Sequence, residues 1–168
     1  DFTWWLSPWV GRTALGFAVN QPERILSITF ADTTGAMGEE DVETALTDWR
    51  DSHPDTRGIG FRALSEGFRE RNPDMANLYL QIQRSNPLRD ISGGILYGGP
   101  KGAELKKLTM PVQFIVGEAD EITPPHVLQI ASDHIEGSRV IVIPDSGHSV
   151  YFEKPDIFNF EVGRFIDP

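Results

Sequence analysis

Two short apolar runs near the C-terminal end limit the folds open to this chain more than any other feature. One is Val112-Gln-Phe-Ile-Val-Gly117, continuing through Asp120 to Pro124; the other is Arg139-Val-Ile-Val-Ile-Pro144, continuing through Gly147 and His148. Runs this short and β-branched, stopped by Gly or Pro, read as strands buried on both faces, the pattern of a parallel sheet. Between them, Val127, Leu128, Ile130 and Ala131 give residues His126 to His134 one apolar helical face. The order is therefore strand, acid, helix, strand, histidine, and the 28 positions from Asp120 to His148 suit a single crossover. Loops at the carboxyl ends of parallel strands gather on one edge, where such folds place ligand sites. A carboxylate that accepts the imidazole Nδ1–H there fixes the tautomer and leaves Nε2 as a general base. Taken singly, an Asp ahead of a Pro-containing loop caps a helix and a His in a Gly turn is solvated. Together, in this order and spacing, Asp120 and His148 are the candidate catalytic acid and histidine.

The sequence from Gly117 to Asp120, then Pro124, Gly147-His148, Tyr151-Phe-Glu-Lys-Pro155 and a last amphipathic stretch through Ile157, Phe158, Val162 and Phe165 resembles the C-terminal part of the α/β-hydrolase family. Upstream, Gly11 to Asp32 is similar to the helix that follows the family's nucleophile and the strand after it. The resemblance covers nearly all of residues 11–168. It implies a partial α/β-hydrolase fold, mostly parallel sheet with helices on both faces and a small helical cap insertion. Strands are expected near Thr3, Ile25, Val112 and Val140. Residues 1–38 and 104–168 would form the core and residues 39–103 a helical cap or lid. Within that insertion, Glu39 to Arg50, Phe61 to Arg71 and Pro73 to Ser85 read as helices, and Pro87 to Gly102 as a Gly- and Pro-rich loop. Leu64, Phe68, Met75, Leu78, Tyr79 and Ile82 are candidates to face a substrate, against the commoner fate of burial under their own helices.

The family carries its Ser, Cys or Asp nucleophile on a strained strand-to-helix turn flanked by small residues. Counting back without gaps from Gly11, that position falls on Pro8, whose fixed φ and missing N–H do not suit the turn. Ser7 is the neighbouring hydroxyl and completes the candidate catalytic set with Asp120 and His148, but Trp5 and Trp9 stand where small residues belong. Three of the four tryptophans fall between Thr3 and Val10. Codons for these eight residues exist that, displaced by one base, read His-Leu-Val-Ala-Leu-Ser-Met-Gly-Gly. That product is an apolar strand running into an Ala-x-Ser-x-Gly elbow, and it joins Arg12 without a gap. A pair of compensating frame changes is therefore one expectation for this segment. Another is truncation: the chain starts at the family's nucleophile strand, so a missing N-terminal half, or association with a second copy, is expected to cover the edge of the sheet.

Composition limits the partners. A formal net charge of −10 disfavours nucleic acid and anionic membrane surfaces. There is no cysteine, so disulfides, thiolate metal sites and a Cys nucleophile are excluded. No signal-like or membrane-length apolar run is present, and a cytoplasmic protein without cofactor or metal is expected. His126 and His134 lie on a helical pattern without carboxylate or cysteine partners at ligand spacing, and His53 lies in a polar Pro/Asp stretch; all three read as structural or surface residues. The resemblance implies acyl transfer by a Ser-His-Asp set, on small carboxylic esters or lactones. Carbon–carbon bond hydrolases share the scaffold, and a catalytically inactive fragment or small-molecule binding module is the competing class.

Overall fold

The computed structural model describes residues 2–6, 11–85 and 98–167. Four strands, β1 (Phe2–Leu6), β2 (Ile25–Ala31), β3 (Val112–Gly117) and β4 (Arg139–Ile143), form one sheet in the order β1-β2-β3-β4. Every pairing is parallel, with Thr29 opposite Gln113 and Phe114 opposite Val140. Parallel neighbours need crossovers, and the chain supplies α1 (Gly11–Asn20) between β1 and β2, and α6 (Pro125–Asp133) between β3 and β4. Between β2 and β3 lies a longer insertion containing α2 (Glu40–Ser52), α3 (Ile59–Arg62), α4 (Glu66–Arg71) and α5 (Pro73–Ser85). After β4 come a single turn, α7 (Val150–Glu153), and a last helix, α8 (Pro155–Ile166).

The strand pattern explains the layers. All six residues of β3 are buried, as a strand covered on both faces must be, whereas β4 at the sheet edge is mostly part-exposed. Side chains alternate across a strand. Ile28, Phe30, Phe114 and Val116 accordingly face one side, where Leu15, Ala18 and Val19 of α1 and Val127, Leu128 and Ala131 of α6 complete the main core. The Phe30 and Phe114 rings stack there with centroids 5.0 Å apart. Ala31, Ile115 and Ile143 face the other side and meet Val150 and Phe158 of α7 and α8. Gln113 is the one polar residue of β3, and its amide donates to Thr29 Oγ1 at 2.9 Å while its carbonyl accepts from Arg139. Its burial on the second face is thereby satisfied.

Within the insertion, α2 packs on α6 and gives Val42 to the main core. A separate cluster joins Ala63, Leu64, Phe68, Ala76 and Tyr79 to Ile122, in the loop after Asp120, and to Phe152 of α7, just after His148. The single helix expected over Phe61 to Arg71 is two short helices, broken at Ala63 to Ser65. Ser65 caps α4 by accepting from the Phe68 N–H at 3.1 Å, and a capping serine starts a new helix more readily than it extends an old one. Of the six apolar residues expected to face a substrate, Leu64, Phe68 and Tyr79 are buried in this cluster, and Met75, Leu78 and Ile82 are exposed on α5. Residues 86–97, most of the expected Gly- and Pro-rich loop, lie outside the described residues.

Candidate active site

Asp120 and His148 leave the carboxyl ends of adjacent strands, and the structure brings them together. The His148 Nδ1 lies 2.8 Å from Asp120 Oδ2. Asp120 is 2% exposed and His148 7% exposed. The other carboxylate oxygen, Oδ1, accepts from the N–H groups of Ile122 at 2.7 Å and Thr123 at 2.9 Å. Those amides orient the carboxylate, so Oδ2 points at the imidazole. A carboxylate only accepts, so Nδ1 carries the proton and Nε2 keeps its lone pair. Nε2 has no hydrogen-bond partner among the described residues.

The two turns that deliver this pair touch through their backbones. The Ala119 N–H donates to the Ser146 carbonyl at 2.9 Å, and Glu118 N–H to that of Ile143. A Cβ on Gly117 would sit 2.1 Å from the Gly147 carbonyl oxygen. A Cβ on Gly147 would sit 2.6 Å from the Ser65 nitrogen. The glycines that punctuate both strands therefore do more than turn the chain; they let the acid turn, the histidine turn and the insertion meet.

Two further buried carboxyls surround the histidine loop, and sequence reasoning gave neither a role. Asp32, at the end of β2, is fully buried and adopts φ +54°, a left-handed conformation that costs a non-glycine residue energy. Its oxygens accept from Gly117 N–H at 3.2 Å and Val150 N–H at 3.3 Å. Burial, reinforced by the Asp120 carboxylate, raises its pKa well above the usual carboxylate range against the pull of those two amides. Glu153, at the end of α7, is 6% exposed. Its Oε1 accepts from Gly147 N–H at 3.0 Å and Ser65 N–H at 2.9 Å, and its Oε2 from Ser65 Oγ at 2.6 Å. Burial pushes its pKa up as well, partly offset by these donors. Asp32 follows an apolar strand and Glu153 sits in an aromatic stretch, but neither position by itself tells a buried carboxyl from a solvated one.

The other histidines are placed elsewhere. His134 Nε2 pairs with Asp41 at 2.9 Å on the surface, and His53 stacks on Trp49 with centroids 3.6 Å apart, where His126 meets the same indole edge-on. Among the described residues, no three His, Cys, Asp or Glu side chains converge as a metal-ligand set. Ser7, the candidate nucleophile, and Pro8 lie outside the described residues. No helix among the described residues is long and apolar enough to cross a membrane.

A parallel sheet with an acid after one strand and a histidine after the next defines the class, and comparison with known proteins agrees. Residues 9–155 match the alpha/beta hydrolase fold family, and the chain belongs to it. A proline iminopeptidase of Saccharolobus solfataricus is 34% identical over 64 residues, 38% of this chain and 20% of that protein. A thermophilic esterase from Thermogutta terrifontis superposes with a TM-score of 0.74 at 20% identity, covering 99% of this chain and 64% of that one. The esterase EaEST from Exiguobacterium antarcticum superposes at 0.73 with 17% identity, covering 99% and 66%. The chain thus spans just under two thirds of the length of these two solved structures.

Proposed function

We propose that this chain carries the acid and histidine of a serine hydrolase acting on small carboxylic esters or lactones, with residues 39–103 as its cap. The observation that carries the reading is the buried Asp120–His148 hydrogen bond, with the second Asp120 oxygen fixed by two backbone amides. A histidine oriented this way has its proton on Nδ1 and a basic Nε2, the arrangement that activates a hydroxyl. The fold neighbours named as esterases support the ester class.

In the proposed reaction, a serine hydroxyl at the carboxyl end of β1 attacks the carbonyl while His148 Nε2 takes its proton. Collapse of the tetrahedral intermediate breaks the carbonyl–oxygen bond, and the imidazolium returns that proton to the departing alkoxide. Water then attacks the acyl-serine with His148 again as base, releasing the acid and restoring the hydroxyl. Asp120 stabilises the imidazolium in both halves. Ser7 is the hydroxyl next in sequence to the elbow position, which falls on Pro8. One oxyanion donor would be the backbone N–H after the nucleophile.

The test is hydrolysis of p-nitrophenyl butyrate by the protein and by Ser7→Ala, His148→Ala and Asp120→Asn. Loss of about 10³-fold or more in kcat for the serine and histidine variants, and for Asp120→Asn, is expected. A background rate equal in all four proteins would overturn the reading. It would favour instead a catalytically inactive member, a reading that Pro8 at the elbow position supports. Tandem mass spectrometry of the N-terminal peptides decides the elbow itself: Leu-Ser-Met-Gly-Gly before Arg12 would restore it, and Leu-Ser-Pro-Trp would leave Pro8 at the elbow position with Ser7 beside it in sequence.

A further inference from the structure

Four consecutive residues of the histidine loop are each gripped by a side chain from a different part of the molecule. The Gly147 N–H donates to Glu153 of α7 at 3.0 Å, and the His148 Nδ1–H to Asp120 at 2.8 Å. Ser149 Oγ hydrogen-bonds the Tyr79 hydroxyl of α5 at 2.8 Å, and the Val150 N–H donates to Asp32 at 3.3 Å. The two backbone amides among these grips go to carboxyls and not to other backbone groups. The path of the loop is therefore decided by where those side chains sit.

Two of the four grips lead into the helical insertion. Tyr79 belongs to it directly. Glu153 belongs to α7, but its Oε1 is shared between Gly147 N–H and Ser65 N–H, and its Oε2 accepts from Ser65 Oγ. The Ser65 amide also packs so closely on Gly147 that no Cβ fits between them. Ser65 meets this carboxyl from the break between α3 and α4.

We propose that Glu153 and Tyr79 are positioning residues for His148, through which the insertion holds the imidazole in register with the nucleophile. The proposal rests on the reaction proposed above for its kinetic consequence, but not for its structural one. Neither side chain touches the reacting atoms. Their effect is on where the Nε2 lone pair points, and a misplacement of about 1 Å costs on the order of 10²-fold in rate.

The experiment compares the protein with Glu153→Ala, Tyr79→Phe and Glu153→Gln, reading the far-downfield Nδ1–H proton resonance of His148 and the kcat and KM for p-nitrophenyl butyrate. Glu153→Ala and Tyr79→Phe are expected to broaden or shift that resonance and to lower kcat about 10- to 100-fold with KM little changed. Glu153→Gln is expected to restore most of the loss, because its carbonyl can accept both amides while its NH₂ donates to Ser65 Oγ. Folded Glu153→Ala and Tyr79→Phe proteins with the wild-type resonance and kcat would overturn the proposal and leave both side chains as fold stabilisers only. If Glu153→Ala does not fold, Tyr79→Phe removes one hydroxyl and decides the question alone. Absence of hydrolysis in the wild type would sink the serine-hydrolase reading, while the resonance would still test positioning.

Discussion

At the scale of single residues, the site is built from groups whose alternatives have been removed. Asp120 cannot rotate without abandoning two amides, and His148 cannot tip without leaving Asp120. Gly117 shows how little room remains. Any Cβ there meets the Gly147 carbonyl oxygen at 2.1 Å, and the obstacle is backbone that cannot swing aside. Gly117→Ala is expected to destabilise by about 3 kcal/mol, toward the upper end for overpacked sites, as read from urea denaturation. An unchanged midpoint would mean that the two turns are not in contact. Asp120 and His148 were legible in the sequence because each ends an apolar run at a glycine turn. Asp32 and Glu153 were not, because nothing in a single sequence distinguishes a buried carboxyl with amide donors from a solvated one. The donors come from Gly117, Gly147, Val150 and Ser65, and only the fold assembles them.

At the scale of elements, β3 is the member on which the others depend. It lies between β2 and β4, is buried along its whole length, and ends in the acid turn. Its Phe114 is fully buried in the main core and stacks on Phe30. Phe114→Ala is expected to cost about 3–5 kcal/mol in chemical denaturation, the range for a large aromatic lost from a core that relaxes only partly. A loss under about 1 kcal/mol would mean that α1 and α6 collapse into the gap. Strands β3 and β4 and helix α6 were readable from hydrophobic period and turn residues, whereas β1, β2, α1 and α8 were placed through the family resemblance. The stretch from Phe61 to Arg71 was not, since Phe61, Leu64 and Phe68 keep a helical spacing across the break. There the tertiary pull of Glu153 on Ser65 outweighs local periodicity. Met75, Leu78 and Ile82 follow the same period on α5 yet face outward, so period alone did not reveal which apolar face is covered.

At the scale of the whole molecule, the buried carboxyls make stability depend on pH with an unusual sign. The folded-state pKa of Asp32 is raised well above its ordinary 3.8 and that of Glu153 above 4.5, both chiefly by burial. Above the ordinary values the folded protein therefore binds protons that the unfolded chain has released. The contribution of these groups is present in full below about pH 4 and is lost as pH rises through the raised values. Asp145 works in the opposite direction, lowered by Arg71 and Lys154, but it is exposed and its weight is small. The thermal midpoint is expected to fall as pH rises from about 4 to 8, and Asp32→Asn to flatten that slope. An identical slope in the variant would show that Asp32 titrates as an ordinary carboxyl.

The grip of Asp32 on the Val150 amide spans 118 positions of the chain, and that of Tyr79 on Ser149 spans 70. Partners so distant in sequence meet late, because chain closure has to precede the contact that rewards it. The histidine loop is therefore a clock for folding: its amides stay open to solvent until β2 has paired with β3. In refolding with pulsed hydrogen–deuterium exchange, protection at Val150 is expected with or after protection of the β2–β3 amides. Protection at Val150 that preceded theirs would mean that the loop forms on its own. The Asp120–His148 pair is then assembled only once the sheet beneath it exists.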